Sequence, residues 1–158
     1  MQLIHLTTYI AAPVERVFDL SRNLSVHKFS MNNYDEQIIS GKPSGLMEAG
    51  DEVEWQARHI FKKRTMKVRM AILKSPEYFK DEQVSGPFKM MKHEHYFKPV
   101  ENGTLMIDQF YFETPYGIAG NFLNRFYLKK YMTKLLNQRN QSIKQIAESN
   151  QWKQYLEQ

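Results

Sequence analysis

The 158-residue chain has no cysteine, so it holds no disulfide framework, no thiolate nucleophile and no Cys-based zinc site. That absence fits a reducing cytoplasm. Glycine and proline are sparse, at 7 and 6 residues, and mark a handful of turns instead of a low-complexity or collagen-like segment. No apolar run approaches the ~20 residues of a membrane-spanning helix. The first dozen residues, Met1 to Ala12, lack the basic start and apolar block of an export signal. A soluble, unexported, cytoplasmic protein is the expectation, either a monomer or a homodimer. The net charge of +5 comes from scattered lysines and arginines. Its densest cluster, Lys62-Lys63-Arg64, is expected as a solvated turn, and without a basic stripe interleaved with aromatics no nucleic-acid partner is expected.

What is present reads as one α+β domain over residues 1–149, followed by a polar tail, 150–158, in which Trp152, Tyr155 and Leu156 are available to dock. A strand over residues 2 to 11 stops at Ala12-Pro13. A helix follows with Pro13 in its first turn, Glu15 complementing its dipole and Val14, Val17, Phe18 and Leu20 as its stripe. A second short helix is predicted from about Asn23 to Phe29, then a strand from Tyr34 to Ser40 and a glycine-bearing loop, Gly41 to Gly50, that can gate a cavity. From Glu52 to Phe61 the apolar set sits on odd positions, including Trp55 and His59. Beyond a Lys62-Lys63 turn it moves to Met66, Val68, Met70 and Ile72, so a tight hairpin puts both sets on one face.

Strand-like segments flank Gly86-Pro87, and Asn102-Gly103 predicts the next hairpin. A turn pairing Glu101 with Thr104 sets Phe97 opposite Asp108, His95 opposite Phe110 and His93 opposite Phe112. Parity alone puts Met91, His93, His95, Phe97, Met106, Asp108, Phe110 and Phe112 on one side. Asp81 and Gln83 cannot be assigned a face. From about Gly120 to Glu148, proline-free and with apolar residues at helical spacing that include Phe122 and Phe126, the pattern predicts one helix of roughly 40 Å. The order, one strand, two short helices, about six antiparallel strands and a long helix, is that of a layered α+β domain whose last helix covers the sheet.

Certain residues also carry a resemblance. Ile10-Ala11-Ala12-Pro13-Val14-Glu15-Arg16-Val17-Phe18, Phe79-Lys80-Asp81-Glu82-Gln83, Gly86-Pro87-Phe88, His93-Glu94-His95-Tyr96-Phe97, Gly103-Thr104, Asp108, Tyr111, Pro115 and Gly117 together resemble the START/Bet v 1-like (SRPBCC) superfamily, and within it a bacterial polyketide cyclase/dehydrase-like branch. The resemblance implies a helix-grip fold with a cavity between a curved sheet and the long helix. It also implies a repertoire of lipid, polyketide, quinone or hormone binding, by carriers and receptors as well as cyclases.

The expected ligand-facing set is Trp55, His59, Met70, Asp81, Gln83, Met91, His93, His95, Phe97, Asp108, Phe110, Phe112, Phe122 and Phe126. An apolar wall seeded with few polar groups suits binding or transport of a small hydrophobic or amphipathic molecule. A non-catalytic binding protein is the leading expectation; the alternative is a cyclase or dehydrase in which His93, His95 and Asp108 do the acid–base work. No Gly-x-Ser-x-Gly or Ser-x-x-Lys motif supports covalent hydrolysis. A His-x-His pair with His59 or Asp108 offers metal ligands without completing a tetrahedral set, so neither metal nor cofactor is expected. His93 and Asp108 also make sense as a structural pair that satisfies itself inside the sheet. A macromolecular contact through the basic surface and the Trp152 to Leu156 segment is the third functional reading.

Overall fold

Seven strands form one antiparallel sheet in the order β1-β7-β6-β5-β4-β3-β2. The computed structural model describes residues 1–59, 62–114 and 122–157, with the side chains of residues 59 and 122–125 outside the description. The strands are β1 (Gln2–Ile10), β2 (Gln37–Gly41), β3 (Glu52–His59), β4 (Lys62–Lys74), β5 (Tyr78–Ser85), β6 (Met90–Val100) and β7 (Gly103–Glu113). Between β1 and β2 lie α1 (Val14–Ser21), α2 (Leu24–Ser30) and a 3₁₀ turn, Asn32–Tyr34. The long helix α3 (Phe122–Glu148) has 27 residues. Among the described residues no helix is long and apolar enough to cross a membrane.

The expected element order holds, and local chemistry explains it. Pro13 sits immediately before α1, where its missing N–H costs nothing, and Asn23 caps α2 by accepting from the backbone of Ser25 and Val26. On β6 and β7 every second residue is buried from Met91 to Phe97 and from Thr104 to Phe112. Such alternation means that one face of the sheet is covered. The cover is α3, whose buried positions Leu135, Leu136, Arg139, Asn140, Ile143, Ile146 and Ala147 recur at helical spacing.

Three local expectations are corrected. The β6–β7 hairpin pairs Val100 with Gly103, so the register lies two residues from the predicted one and His95 faces Asp108, His93 faces Phe110 and Phe97 faces Met106. Asn102 takes the left-handed conformation, φ 61°, at the end of a Glu101-Asn102 turn. Gly103 serves a different need: a Cβ there would stand 2.4 Å from the Ile10 carbonyl oxygen. Lys62 and Lys63 belong to β4, where they pair with His59 and Arg58, and the residues joining β3 to β4 lie outside the description. Ile72 is 37% exposed because the β4–β5 register shifts between Met70 and Ile72, handing the inward position to Leu73.

Of the loop or flap expected from Gly41 to Gly50, the segment is a loop, fastened at several points. Met47 N–H donates to Arg22 O, Gly50 N–H to Met70 O and Met70 N–H to Asp51 O, while Lys42 pairs with Asp51 at 2.7 Å. The tail forms a 3₁₀ turn (Asn150–Trp152) and α4 (Lys153–Leu156). Trp152, Tyr155 and Leu156 pack on the core, with the Arg16 guanidinium 4.2 Å above the Trp152 ring. The Pro115 and Gly117 opening of the last helix, and a gate there, fall outside the described residues.

Candidate functional site

The buried apolar residues form two clusters. One joins Phe18, Leu20, Phe79, Phe97, Met106, Ile143 and Ile146, and the other joins Ile4, Met91, Phe110, Phe112 and Leu136. Along β7, Asp108 lies between Met106 and Phe110; along β6, His93 and His95 lie between Met91 and Phe97. Along α3, Arg139 and Asn140 lie between Leu136 and Ile143. Three elements therefore deliver their polar residues to the same level, the seam between the clusters.

Asp108 is wholly buried at the centre of that seam. Its Oδ1 accepts from His93 Nε2 at 2.9 Å and from Arg139 Nη1 at 3.5 Å, and its Oδ2 accepts from Asn140 Nδ2 at 2.7 Å. Arg139 also donates to the Ser21 carbonyl at 3.0 Å, which ties α3 to the end of α1. Burial by itself pushes the Asp108 carboxyl up, but the His93 hydrogen bond and the close His95 ring outweigh it and hold the group well below its ordinary range. Burial, aided by neighbouring His95 and opposed by Asp108, pushes His93 down to about 4, so at neutral pH it is an uncharged imidazole donating to a carboxylate.

This arrangement has a pH signature. In the unfolded chain His93 takes up its proton near the ordinary 6.5, whereas the folded protein refuses it until about 4. Between those values the unfolded state binds more protons, so stability is full above pH 6.5 and is lost as pH falls toward 4, by roughly 3 kcal/mol at most. We expect the melting temperature to fall across that window and to fall less in a His93→Gln protein. Equal slopes in the two proteins would remove His93 as the cause.

His95 is 1% exposed, stacks on Phe79 at 4.1 Å, lies tilted against the His93 ring at 3.7 Å, and has both ring nitrogens near carboxylates. Nδ1 is 3.0 Å from Asp108 Oδ1 and Nε2 is 3.3 Å from Asp81 Oδ2, yet neither contact is aligned as a hydrogen bond. The donor atoms of His93, His95 and Asp108 all lie within 4.8 Å of one another, close enough for one cation. The Asp108 oxygen that would face it already holds His93 and the Arg139 charge, so the geometry is that of a compensated network.

Beside the network is a cavity of about 160 Å³. Its sheet wall is Trp55, Met66, Val68, Met70, Phe79, Asp81, Met91, His93, His95 and Phe110. Its other walls come from Ser21 to Leu24, His27 and Met31, from Glu36 and Met47, and from Met132, Leu135, Leu136 and Arg139. Met31, Met47, Met66, Met70, Met91 and Met132 make the lining adaptable, since the unbranched thioether fits irregular shapes.

Of the sequence-predicted set, the structure brings Trp55, Met70, Asp81, Met91, His93, His95 and Phe110 to this cavity. Asp108 lies behind the histidines. Phe97 packs against Phe18 at 5.2 Å in one cluster, and Phe112 lies in the other. Gln83 instead donates to the Phe88 carbonyl at 2.8 Å. Phe126 is 60% exposed, because it stands about 200° around the helix from Leu128 and so off the face of Leu128, Met132 and Leu136. The side chains of His59 and Phe122 lie outside the description.

Sequence reasoning missed Arg139, Asn140, His27 and Glu36. The first two carried a signal: polar residues at core positions of an apolar stripe. His27 and Glu36 carried none, because their 3.2 Å approach depends on how α2 and the following turn fold back over Trp55.

The sequence matches no family model, and no curated protein matches it. Among solved structures it is similar to a protein of Thermus thermophilus, at 20% identity and a TM-score of 0.68, over 90% of this chain and 97% of that one. Ginseng major latex-like protein 151 of Panax ginseng is 12% identical with a TM-score of 0.67, over 94% and 98% of the two chains. A START superfamily protein of Mycobacterium smegmatis is 10% identical with a TM-score of 0.70, over 92% and 97%. At these identities the likeness is one of fold: the chain has the helix-grip fold of START and Bet v 1-like proteins.

Proposed function

We propose that the chain binds or carries a small hydrophobic or amphipathic molecule in the cavity between the sheet and α3. The observation that carries this reading is the cavity itself, walled largely by methionine, leucine and aromatic side chains, with Asp81, His93 and His95 on its sheet wall and Arg22, His27, Glu36 and Arg139 on the others. Apolar walls give affinity in proportion to the area they remove from water, and a few fixed polar atoms give orientation. Acid–base work on the bound molecule is the second reading, favoured by the lining position of both imidazoles with a carboxylate behind them.

Native mass spectrometry after exposure to lipid, quinone and polyketone panels tests both. The expected result is a bound species and a raised melting temperature in the unmodified protein, and neither in a Leu136→Trp protein whose added ring fills the cavity. A polyketone released with the mass of one water removed would favour the enzyme. No retained species and no thermal shift from any panel would end the binding reading.

A further inference from the structure

The lysines are scattered in sequence, but α3 collects several of them without acids between. From Phe126 to Ala147 the helix carries Lys129, Lys130, Lys134, Arg139 and Lys144 and no Asp or Glu. Arg139 is engaged inside with Asp108, and Lys144 with Glu148. Lys129, Lys130 and Lys134 are exposed and form no ion pair among the described residues. At ~100° per residue, Phe126, Lys130, Lys134 and Tyr127 fall within one arc of about that width, and the buried Leu135, Leu136, Arg139, Ile143 and Ile146 lie opposite. Phe126 is 60% and Tyr127 58% exposed, and the Tyr127 ring stacks on that of half-buried Tyr131 at 6.4 Å. Single exposed apolar side chains are ordinary, but adjacent rings framed by lysines mark a surface built for contact.

The neighbouring surface repeats the sign. Leu128 and Met132 seat this half of α3 on the cluster of Ile4, Met91 and Phe112, with Met66 packed on the same cluster, so it lies at the end of the sheet where β3 turns into β4. There Arg58, Lys62, Lys63 and Arg64 are exposed. Against them stand Glu113, held between the N-terminus and Lys89, and Asp35 and Glu36 just after the 3₁₀ turn. The Trp152 to Leu156 segment takes no part, because it packs on the core beside α1.

We propose that this face of α3 docks on an anionic lipid bilayer, with Phe126 and Tyr127 entering the headgroup layer and Lys130 and Lys134 resting among the lipid phosphates and carboxylates. Basic helices with an apolar edge lie in the plane of such an interface, and aromatic rings settle at headgroup depth. Lys129 and the cations of the β3–β4 end add attraction within a Debye length. A nucleic-acid duplex would neutralise the lysines but leave both rings in water; a bilayer takes both. Met132, Leu135 and Leu136 on the inner side of the helix line the cavity, so docking sets the cavity one helix away from lipid. The docking itself stands whether or not a ligand occupies that cavity.

Co-sedimentation of the full chain with vesicles tests it, using phosphatidylcholine alone and an equal mixture of phosphatidylcholine and phosphatidylserine. The protein should bind the mixture about tenfold or more tighter than phosphatidylcholine, and added salt should erode the difference. Lys130→Gln with Lys134→Gln should weaken binding to the mixture about twentyfold, near fivefold per cation. Phe126→Ser should weaken it about fivefold. Lys98→Gln with Lys153→Gln removes the same charge from exposed positions at the opposite end, beside the β6–β7 turn and Trp152, and should change binding by less than about twofold. Equal losses in the two lysine pairs would reduce the effect to net charge and overturn the docking face. Phe126→Ser binding as tightly as the unmodified chain, or duplex RNA bound more tightly than the mixed vesicles, would take the face away from lipid. Binding indifferent to phosphatidylserine, or absent from both vesicles, would end the proposal.

Discussion

An Asp108→Ala protein should be less stable than the unmodified chain by about 3–5 kcal/mol in denaturant unfolding, the range for breaking a buried ion pair from one side. The alanine removes the acceptor for His93 Nε2 and Asn140 Nδ2 and the counter-charge of Arg139, itself only 5% exposed. The guanidinium keeps the Ser21 carbonyl but no carboxylate. Loss of an attraction is the smaller part of the effect. The larger part is a nearly buried cation left without its counter-charge and a His93 donor left without its acceptor, while Asn140 keeps its bond to Thr8 Oγ1 at 3.2 Å. A double substitution separates the two parts. Asp108→Leu with Arg139→Met removes both charges and keeps apolar volume, and should recover at least half of the loss, since paired buried charges exchanged for packed apolar residues are often neutral. If Asp108→Ala costs less than about 1 kcal/mol, the network is solvated and the burial argument fails.

This network shows where the sequence was readable. Period-two alternation on β6 and β7 is legible because burial of one face forces it, and parity survives a turn error: moving the register by two residues changed the partner of Asp108 from Phe97 to His95 without changing its face. The contacts that make the site were not legible. His95 against Asp108 needs the true register, which depends on whether Asn102 or Gly103 ends the turn, and both residue types suit a turn. Arg139 and Asn140 were legible in principle, because a polar pair between Leu136 and Ile143 interrupts a stripe that must face the sheet. What they reach is set by the packing of α3 against α1 and the sheet, and helical periodicity does not contain that information. The cavity is a further step removed. It is the volume left over after packing, and even a correct list of lining residues does not fix it.

The seam also has a consequence for how α3 seats. With an apolar cluster on either side, a helix slid by one turn would still bury leucines and isoleucines. It would leave Arg139 and Asn140 against apolar residues and Asp108 without donors. The network thus penalises the slipped arrangement by several unpaired groups, as a single buried polar residue does in helical bundles.

The second large effect concerns the wall between the core and the cavity. Phe79 is 1% exposed, meets Phe18 edge-on at 5.6 Å, stacks on Phe97 at 5.7 Å and His95 at 4.1 Å, and lines the cavity. Phe79→Ala should cost about 3–5 kcal/mol, because the ring's transfer energy is lost and the surrounding aromatics relax only partly into the space. Here the new space joins an existing cavity, so added benzene should restore part of the lost melting temperature by binding the folded state alone. Phe97→Ala is the control: it removes a ring of the same cluster, 2% exposed and outside the cavity lining, and should lose comparable stability with less restoration by benzene. Equal restoration in both would show that the two rings bound the same space, and a Phe79→Ala cost under about 1 kcal/mol would show that the wall collapses to fill the gap.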